Sequence, residues 1–179
     1  MAIILASTSS IRRRLLENAG VEFTVEEPPV NEVELKSLAT ALSADALARR
    51  LAAAKCISIS VRHPEDLVIG ADQVLSFSGK IYDKPKNLDE AKAHLVEFRG
   101  GTHTLVSALC CAKNGTALWQ HSSQADLTMR PFSDRFLENY LTVIGTDALT
   151  SVGAYKLEGP GIQLFESIKG DYFTILGLP

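Results

Sequence analysis

Residues 3–20, IILASTSSIRRRLLENAG, combine three local sequence patterns. The stretch begins as a short apolar run, passes through four consecutive hydroxyl residues, and continues with apolar side chains at helical spacing. Ser9 or Ser10 is suited to cap that helix, because a serine hydroxyl accepts from backbone N–H groups that the first turn leaves open. The stretch therefore predicts a strand, a polar turn and an amphipathic helix.

Three arginines follow the predicted cap, at Arg12, Arg13 and Arg14. The helix dipole disfavours each cation in the first turn by about 0.3–1 kcal/mol, and a bound anion would reverse that sign. Open N–H groups, hydroxyls and guanidinium groups together describe a phosphate site, for which Ser7 is a further candidate. The alternative is an ordinary basic surface helix. The stretch contains neither a P-loop nor a glycine-rich dinucleotide fingerprint.

Composition limits the class of protein. The 179 residues, 46% of them hydrophobic, fit one domain over 1–179 or two tightly packed lobes. A net charge of −3 argues against general nucleic-acid binding. We expect no membrane span and no signal peptide, because no apolar run approaches about 18 residues and no basic segment precedes IILA. Three cysteines without metal-ligand spacing indicate reduced thiols and a cytoplasmic location.

The rest of the chain alternates strand and helix patterns without an internal repeat, which predicts one mixed α/β domain. Asn114-Gly115 is a strong type I′ hairpin signal between two long strands. Residues 28–37 are expected to form an acidic loop. We expect strands at 21–26, 67–71, 74–77, 102–113, 116–128 and 162–168, and helices at 43–60, 88–98 and 133–143.

Asp72 is the strongest single candidate for chemistry. It follows the apolar run LVIGA directly, and open α/β sheets bind ligands beyond the carboxyl ends of their strands. Glu32 adds a carboxylate on the acidic loop. One or two carboxylates with substrate phosphates is the usual way to hold Mg²⁺. The alternative for Asp72 is a structural role in a turn.

Lys55, Lys84 and Glu158 are weaker candidates taken singly. Pro85 stiffens the segment that carries Lys84 and could aim its ammonium group at a phosphate, while Lys55 lies near the end of its helix, where a cation suits the dipole. Each lysine could equally be a solvated surface residue. Glu158 lies in a glycine-rich loop, where its carboxylate could accept two hydrogen bonds from the N1–H and the exocyclic amine of guanine. Its alternative is an exposed turn residue.

Taken in order, these segments resemble the Maf family of nucleoside triphosphate pyrophosphatases over essentially the whole chain. The resemblance rests on ASTSSIRRRLL (6–16), GADQVL (70–75), KP (84–85), GGTH (100–103), GAYKLEGPG (153–161) and FESIKGDYFTILGLP (165–179). It implies an elongated mixed β-sheet flanked by helices, in two lobes around a central cleft, as in the inosine triphosphatase-like fold. The implied reaction is hydrolysis of a nucleoside triphosphate to the monophosphate and pyrophosphate with Mg²⁺, Mn²⁺ or Co²⁺, and a homodimer is expected.

The resemblance also implies roles for particular residues. Asp72 would be the catalytic carboxylate, by binding the metal, by activating the water, or both, with Glu32 as a second acidic partner and metal ligand. The implied triphosphate-binding and active-site partners are Ser7, Arg12, Arg13, Lys55 and Lys84.

The branches of the family differ at the positions of Ile11, Gln73 and Glu158. Gln73 and Glu158 resemble the branch that acts on 7-methyl-GTP, whereas Ile11 stands where that branch has a tryptophan. A guanine-type substrate is therefore favoured. Three alternatives are a pyrophosphatase of the dTTP/UTP type, a nucleotide-binding regulator of septum formation without required turnover, and a scaffold whose arginines contact an acidic protein.

Overall fold

The computed structural model describes residues 1–39 and 41–179, which form seven strands and six α-helices. The strands are β1 (Ile3–Ala6), β2 (Thr24–Glu26), β3 (Leu67–Phe77), β4 (Lys80–Tyr82), β5 (Thr102–Lys113), β6 (Thr116–Met129) and β7 (Phe165–Lys169). The helices are α1 (Ser10–Asn18), α2 (Glu32–Ser37), α3 (Ala44–Ser60), α4 (Leu88–Phe98), α5 (Asp134–Ile144) and α6 (Tyr172–Leu176), with 3-10 helices at Gly145–Thr150 and Pro160–Leu164. Among these described helices, none has the length and apolar character needed to cross a membrane.

The strands form one mixed sheet in the order β2-β1-β3-β5-β6-β7, and β4 pairs with β3. β1 is parallel to both of its neighbours, while β4 and β7 are antiparallel to theirs. The predicted class, an α/β fold with a mixed sheet flanked by helices, is confirmed. The chain divides into two compact units, unit 1 (residues 1–73, 106–123 and 171–179) and unit 2 (residues 74–105 and 124–170).

Unit 1 has an aliphatic core between α3 and the strands β1 and β3. One face of α3 is buried, including Leu47, Leu51 and Ile59. β1 and the first part of β3 are apolar along their length, as expected of parallel strands covered on both faces. The predicted helix at 43–60 is confirmed, with the Ser43 hydroxyl accepting from Ala46 N at its start.

Unit 2 has an aromatic core around His103 on β5. The centroid of the His103 ring lies 5.3 Å from that of Phe98, 5.6 Å from that of Tyr155 and 5.9 Å from that of Phe165. His103 is fully buried, and its Nε2 is 2.7 Å from the Tyr155 hydroxyl. Burial lowers the pKa of His103 to about 4, against the opposing effect of the Asp126 charge.

Several sequence predictions about local structure were wrong. The acidic loop contains the short helix α2, which Asn31 caps by accepting from Glu34 N. Residues 67–71 and 74–77 are one continuous strand, because the polar pair between them stays in the ladder. The strand predicted at 21–26 is shorter than expected, because β2 covers only Thr24–Glu26. The strand predicted at 162–168 begins later than expected, because a 3-10 helix at Pro160–Leu164 precedes β7.

The buried His103 predicts a pH-dependent stability. An unfolded histidine has a pKa of about 6.5, so between pH 6.5 and 4 the unfolded chain binds a proton that the folded chain excludes. The free energy of unfolding should therefore decrease as the pH is lowered from 6.5 to 4, with a contribution from His103 of about 3 kcal/mol.

Urea unfolding at several pH values checks this expectation. The variant His103→Phe should lose less stability than the wild type between pH 6.5 and 4, while His121→Phe, at an exposed position, should follow the wild type. Parallel pH profiles for wild type and His103→Phe would refute the assignment.

Candidate functional site

Asp72 lies inside β3 and not after it. In the register of β1 and β3, Ala6 is paired with Gly70, so β1 ends while β3 continues through Asp72. The expectation that Asp72 terminates a strand is therefore wrong, although it does lie past the carboxyl end of the neighbouring strand. Its side chain is buried, with 6% of the residue exposed. A buried carboxylate needs charged or hydrogen-bonding partners, and these come from α3.

Gly70 allows α3 to pack against the backbone of β3. A Cβ atom at position 70 would lie 2.5 Å from Ala52 O and 2.8 Å from the Cβ and N of Cys56. Gly70 has no positive φ, so the requirement for glycine is space and not backbone conformation. Lys55 is on the same turn of α3 as these contacts. The close approach therefore brings the lysine within reach of Asp72.

Lys55 joins two carboxylates. Its Nζ lies 2.6 Å from Asp72 Oδ1 and 2.7 Å from Glu32 Oε1. The side chains of Lys55 and Asp72 are 9% and 8% exposed, whereas that of Glu32 is 43% exposed. The reading of Lys55 as a solvated surface lysine is wrong. The side chains of Lys55, Asp72 and Glu32 are called the Lys55 cluster. In it, Lys55 and Asp72 form a buried ion pair, and the Glu32 side chain, also paired with Lys55, is open to solvent.

Arg12 is directed into unit 1 from the first turn of α1. Its Nε donates to Gly177 O at 2.8 Å and its Nη1 to Ala71 O at 3.0 Å, which uses two of the five N–H groups of a guanidinium. Burial lowers the pKa of Arg12, and the charges of Asp72 and Glu32 act in the opposite direction. Arg12 therefore lies in the electrostatic field of both carboxylates.

The turn between β1 and α1 is fixed by serines, as the sequence predicts. Ser9 caps α1 by accepting from Arg12 N, and the buried Ser7 accepts from Ser9 N at 3.2 Å. Ile11 is half-buried beside them. Arg13 differs from Arg12, because it is exposed and pairs with Glu17 Oε1 at 2.8 Å.

Gln73 connects β3 to the C-terminal segment. Its Nε2 donates to Ser107 Oγ at 3.0 Å, to Thr174 O at 3.0 Å and to Ile175 O at 2.9 Å. The Ser107 hydroxyl also donates to Thr174 O at 2.7 Å. The amide nitrogen of Gln73, predicted from resemblance to help select the base, is thus engaged with the carbonyl end of α6.

Lys84 and Glu158 belong to unit 2. Lys84 is exposed and follows β4. Glu158 is exposed in a turn in which Gly159 N and Gly161 N both donate to Lys156 O, at 3.2 and 3.1 Å. Of the ten predicted site residues, Lys84 and Glu158 therefore lie in unit 2, and the other eight lie in unit 1: Ser7, Ile11, Arg12, Arg13, Glu32, Lys55, Asp72 and Gln73.

The acidic residues of the Lys55 cluster suit a cation that is shared with a phosphate. Within residues 1–39 and 41–179, no group of three or more His, Cys, Asp or Glu could hold a metal ion by itself. Two carboxylates are nevertheless the protein contribution that Mg²⁺ commonly receives where substrate phosphates complete its shell. Arg12 and Lys55 carry two positive charges and Glu32 and Asp72 carry two negative charges, so the four side chains are neutral together.

Sequence reasoning missed the glycines that shape this site. Gly70 stands in an apolar strand pattern, and an isolated glycine there is a sign of close backbone approach. Gly177 has φ +89°, and a Cβ there would lie 3.2 Å from Arg12 Nη2. The hydrogen bonds of Gln73 gave no comparable signal, because its partners lie 34 to 102 residues away in the chain.

The Lys55 cluster predicts a large and conditional effect of removing the lysine. Lys55→Met leaves Asp72 buried without its cation, which should lower the free energy of unfolding by about 3 kcal/mol at pH 7. Adding Asp72→Asn should restore part of that loss, because the unpaired charge is then removed. Urea denaturation of the single and double variants measures both values.

Lys169→Met is the matched control, because Lys169 is exposed at the end of β7 and should change stability by less than about 0.5 kcal/mol. Additive losses in the double variant would contradict the direct pairing of Lys55 with Asp72.

Comparison with known proteins shows the family of the chain. The model of Maf-like proteins matches residues 2–179. A 7-methyl-GTP pyrophosphatase of Rhizobium etli is 47% identical over 179 residues, covering 99% of this chain and 90% of the relative. A nucleoside triphosphate pyrophosphatase of Granulibacter bethesdensis is 48% identical over 181 residues, covering 100% and 92%.

Among solved structures, a nucleoside-triphosphatase / dITP/XTP pyrophosphatase from Mycobacterium abscessus covers 74% of this chain and 76% of its own, with a TM-score of 0.41 and 17% identity. That similarity is too low to support an argument. The family match and the identities over the whole chain suffice: the chain belongs to the Maf family.

Proposed function

We propose that this protein is a nucleoside triphosphate pyrophosphatase that favours guanine-type nucleotides, 7-methyl-GTP among them. The observation that carries the proposal is the Lys55 cluster, a buried carboxylate paired with a lysine beside Arg12. The names of the relatives from Rhizobium etli and Granulibacter bethesdensis support the same reaction. The free thiols of Cys56, Cys110 and Cys111 support a cytoplasmic location, and a homodimer stays a prediction.

The reaction is attack of water on the α-phosphorus. The water oxygen forms the new bond to the α-phosphorus, the bridging oxygen between the α- and β-phosphorus leaves with pyrophosphate, and the water proton passes to a base. Asp72 is the assigned base and water-orienting group, because its buried carboxylate can only accept hydrogen bonds when ionised. Its second oxygen is available for this role while Oδ1 remains on Lys55.

Negative charge on the triphosphate is balanced by cations of the site. Such transition states are stabilised mainly by positioned charges and N–H donors. Arg12 and Lys55 supply cations, and the first turn of α1 supplies N–H groups next to Ser7. Resemblance assigns Arg13 and Lys84 to the same task, and their contribution stays a prediction.

Glu32 and Asp72 are the residues that would hold a divalent cation. When bound, Mg²⁺, Mn²⁺ or Co²⁺ polarises phosphoryl oxygens and neutralises charge that develops on them. Glu32 is suited to this role because its side chain is the solvent-exposed carboxylate of the Lys55 cluster, where a cation can reach it.

Base selection is assigned to Glu158. A carboxylate accepts in parallel from the N1–H and the exocyclic amine of guanine, whereas uracil and thymine offer one donor between two acceptors. A positively charged base such as 7-methylguanine would gain further from the negative charge. The half-buried Ile11 cannot stack on such a base as well as a tryptophan would.

Asp72→Asn should abolish most of the turnover. The amide keeps the size of the side chain but cannot take a proton, so the rate of pyrophosphate release should fall by a factor of about 100 or more. GTP binding, measured by calorimetry, should persist. The assay follows pyrophosphate from GTP, 7-methyl-GTP and UTP with Mg²⁺ or Mn²⁺.

Asp89→Asn, in the first turn of α4, is the matched control and should retain full activity. An unchanged rate in Asp72→Asn would remove Asp72 from the mechanism, and release of orthophosphate alone by the wild type would refute the reaction. A cellular effect on septum formation that survives Asp72→Asn would favour the regulator over the enzyme.

Glu158→Gln should shift the substrate preference. Glutamine offers one donor and one acceptor, which suits uracil and thymine, so kcat/KM for GTP relative to UTP should fall about tenfold or more. Glu166→Gln, an exposed acid on β7, is the control and should leave the ratio unchanged. A wild type that prefers UTP would show that the assignment of Glu158 is wrong.

A further inference from the structure

Tyr155 occupies a buried position immediately before the turn that carries Glu158. Its ring packs edge-on against Phe165, with centroids 4.8 Å apart, and its hydroxyl is 2.7 Å from His103 Nε2. Burial raises the pKa of Tyr155 well above its usual value, so the hydroxyl keeps its proton. Packing against Phe165 does not require this hydroxyl, because the phenylalanine ring is apolar.

The His103–Tyr155 bond carries a cost that its packing does not explain. His103 Nδ1 is buried and has no hydrogen-bond partner among the described residues. A buried polar atom without a partner is unfavourable, so an all-apolar cluster would be a simpler core. A buried polar pair that is unfavourable for packing can still be useful, because its hydrogen bond specifies one arrangement of the chain.

The backbone around Tyr155 is held in one conformation by further bonds. Ser151 Oγ accepts from Tyr155 N at 3.1 Å and donates to Tyr155 O at 2.6 Å, while the Tyr140 hydroxyl donates to Ala154 O at 3.1 Å. Ala154 is a buried non-glycine residue with φ +57°. Strained residues of this kind persist only where the surrounding structure determines them, and they are frequent at functional sites.

The restraint continues directly into the turn that carries Glu158. Lys156 O accepts from both Gly159 N and Gly161 N, and Lys156 Nζ pairs with Asp147 Oδ2 at 2.9 Å. A Cβ on Gly161 would lie 2.5 Å from Lys156 O, so the turn closes on its own backbone. Glu158 is at the exposed apex, three residues from the Tyr155 anchor.

We propose that Tyr155 is a positioning residue for base selection: its buried bond to His103 fixes residues 151–161, and thereby holds the Glu158 carboxylate in the orientation that accepts from a guanine edge. This inference rests on the proposed function and deepens it. Two parallel hydrogen bonds require an acceptor of fixed orientation. A mobile carboxylate would lose conformational entropy on binding, and the affinity for guanine would fall. Because Tyr155 is buried and acts only through the turn that carries Glu158, its effect should appear in binding preference and not in the chemical step.

The test removes the hydroxyl alone, with Tyr155→Phe. Hydrogen–deuterium exchange of peptides covering residues 151–162 should become faster. Calorimetry should show the preference for GTP over UTP in equilibrium binding reduced about tenfold, because the Glu158 side chain must then be ordered when guanine binds. In turnover of GTP, KM should rise while kcat stays close to the wild-type value. A merely structural role would lower overall stability without moving the GTP/UTP ratio.

Two further variants make the test specific. Tyr82→Phe removes another tyrosine hydroxyl in unit 2, bonded to Glu97, and should leave exchange at residues 151–162 unchanged. His103→Phe should reproduce the loss of preference, and adding it to Tyr155→Phe should cause no further loss, because both remove the same bond.

Unchanged exchange in Tyr155→Phe would overturn the anchoring, and faster exchange with an unchanged GTP/UTP binding ratio would overturn the link to base selection. A wild type that binds GTP preferentially but releases no pyrophosphate would refute the proposed function. The binding ratio of Tyr155→Phe would then still decide the inference, since it requires no turnover.

Discussion

The structure of unit 1 depends on one buried ion pair, Lys55 with Asp72. An ionised carboxylate in the middle of a buried strand would be prohibitively costly alone, and an unpaired buried lysine equally so. Gly70 makes the pairing possible, because only a residue without a side chain lets α3 lie against β3 at that point. Two further residues are arranged around this ion pair. Glu32 on α2 pairs with Lys55. Arg12 donates to Ala71 O, next to Asp72 in β3, and lies in the electrostatic field of Asp72 and Glu32.

Arg12 illustrates how one side chain can serve both fold and site. Its bonds to Ala71 O and Gly177 O link the start of α1, the middle of β3 and the C-terminal segment. Gln73 reinforces that link from the next position of β3, through the carbonyls of residues 174 and 175. Arg12 and Gln73, which the family resemblance predicts to contact the substrate, therefore also hold together three distant parts of unit 1. Substitutions at Arg12 or Gln73 will change stability together with binding, and kinetic effects there need a stability measurement beside them.

Features set by local chemistry could be predicted from the sequence, and features set by distant contacts could not. The serine cap, predicted at Ser9 or Ser10 and found at Ser9, and the Asn114-Gly115 hairpin were predicted correctly, because a hydroxyl acceptor and a pair of positive φ angles depend only on neighbouring residues. The burial of Lys55 was not predicted, because the helical spacing of apolar residues in α3 does not show that the backbone of β3 packs directly against this helix. Asp72 was found through the apolar run before it, yet its position inside the strand depends on β4 pairing with the residues that follow. Motif order supplied the substrate class, which no single residue carries.

In the proposed mechanism, the Lys55 cluster directs water to the α-phosphorus. Hydrolysis of GTP or 7-methyl-GTP in ¹⁸O-labelled water, with the products separated and analysed by mass spectrometry, identifies the phosphorus that is attacked. Attack at the α-phosphorus places one labelled oxygen in the nucleoside monophosphate and none in the pyrophosphate formed beside it, and this is the expected result. Label in the pyrophosphate would mean attack at the β-phosphorus, and labelled orthophosphate with a nucleoside diphosphate would mean attack at the γ-phosphorus. Either of these results would refute the mechanism.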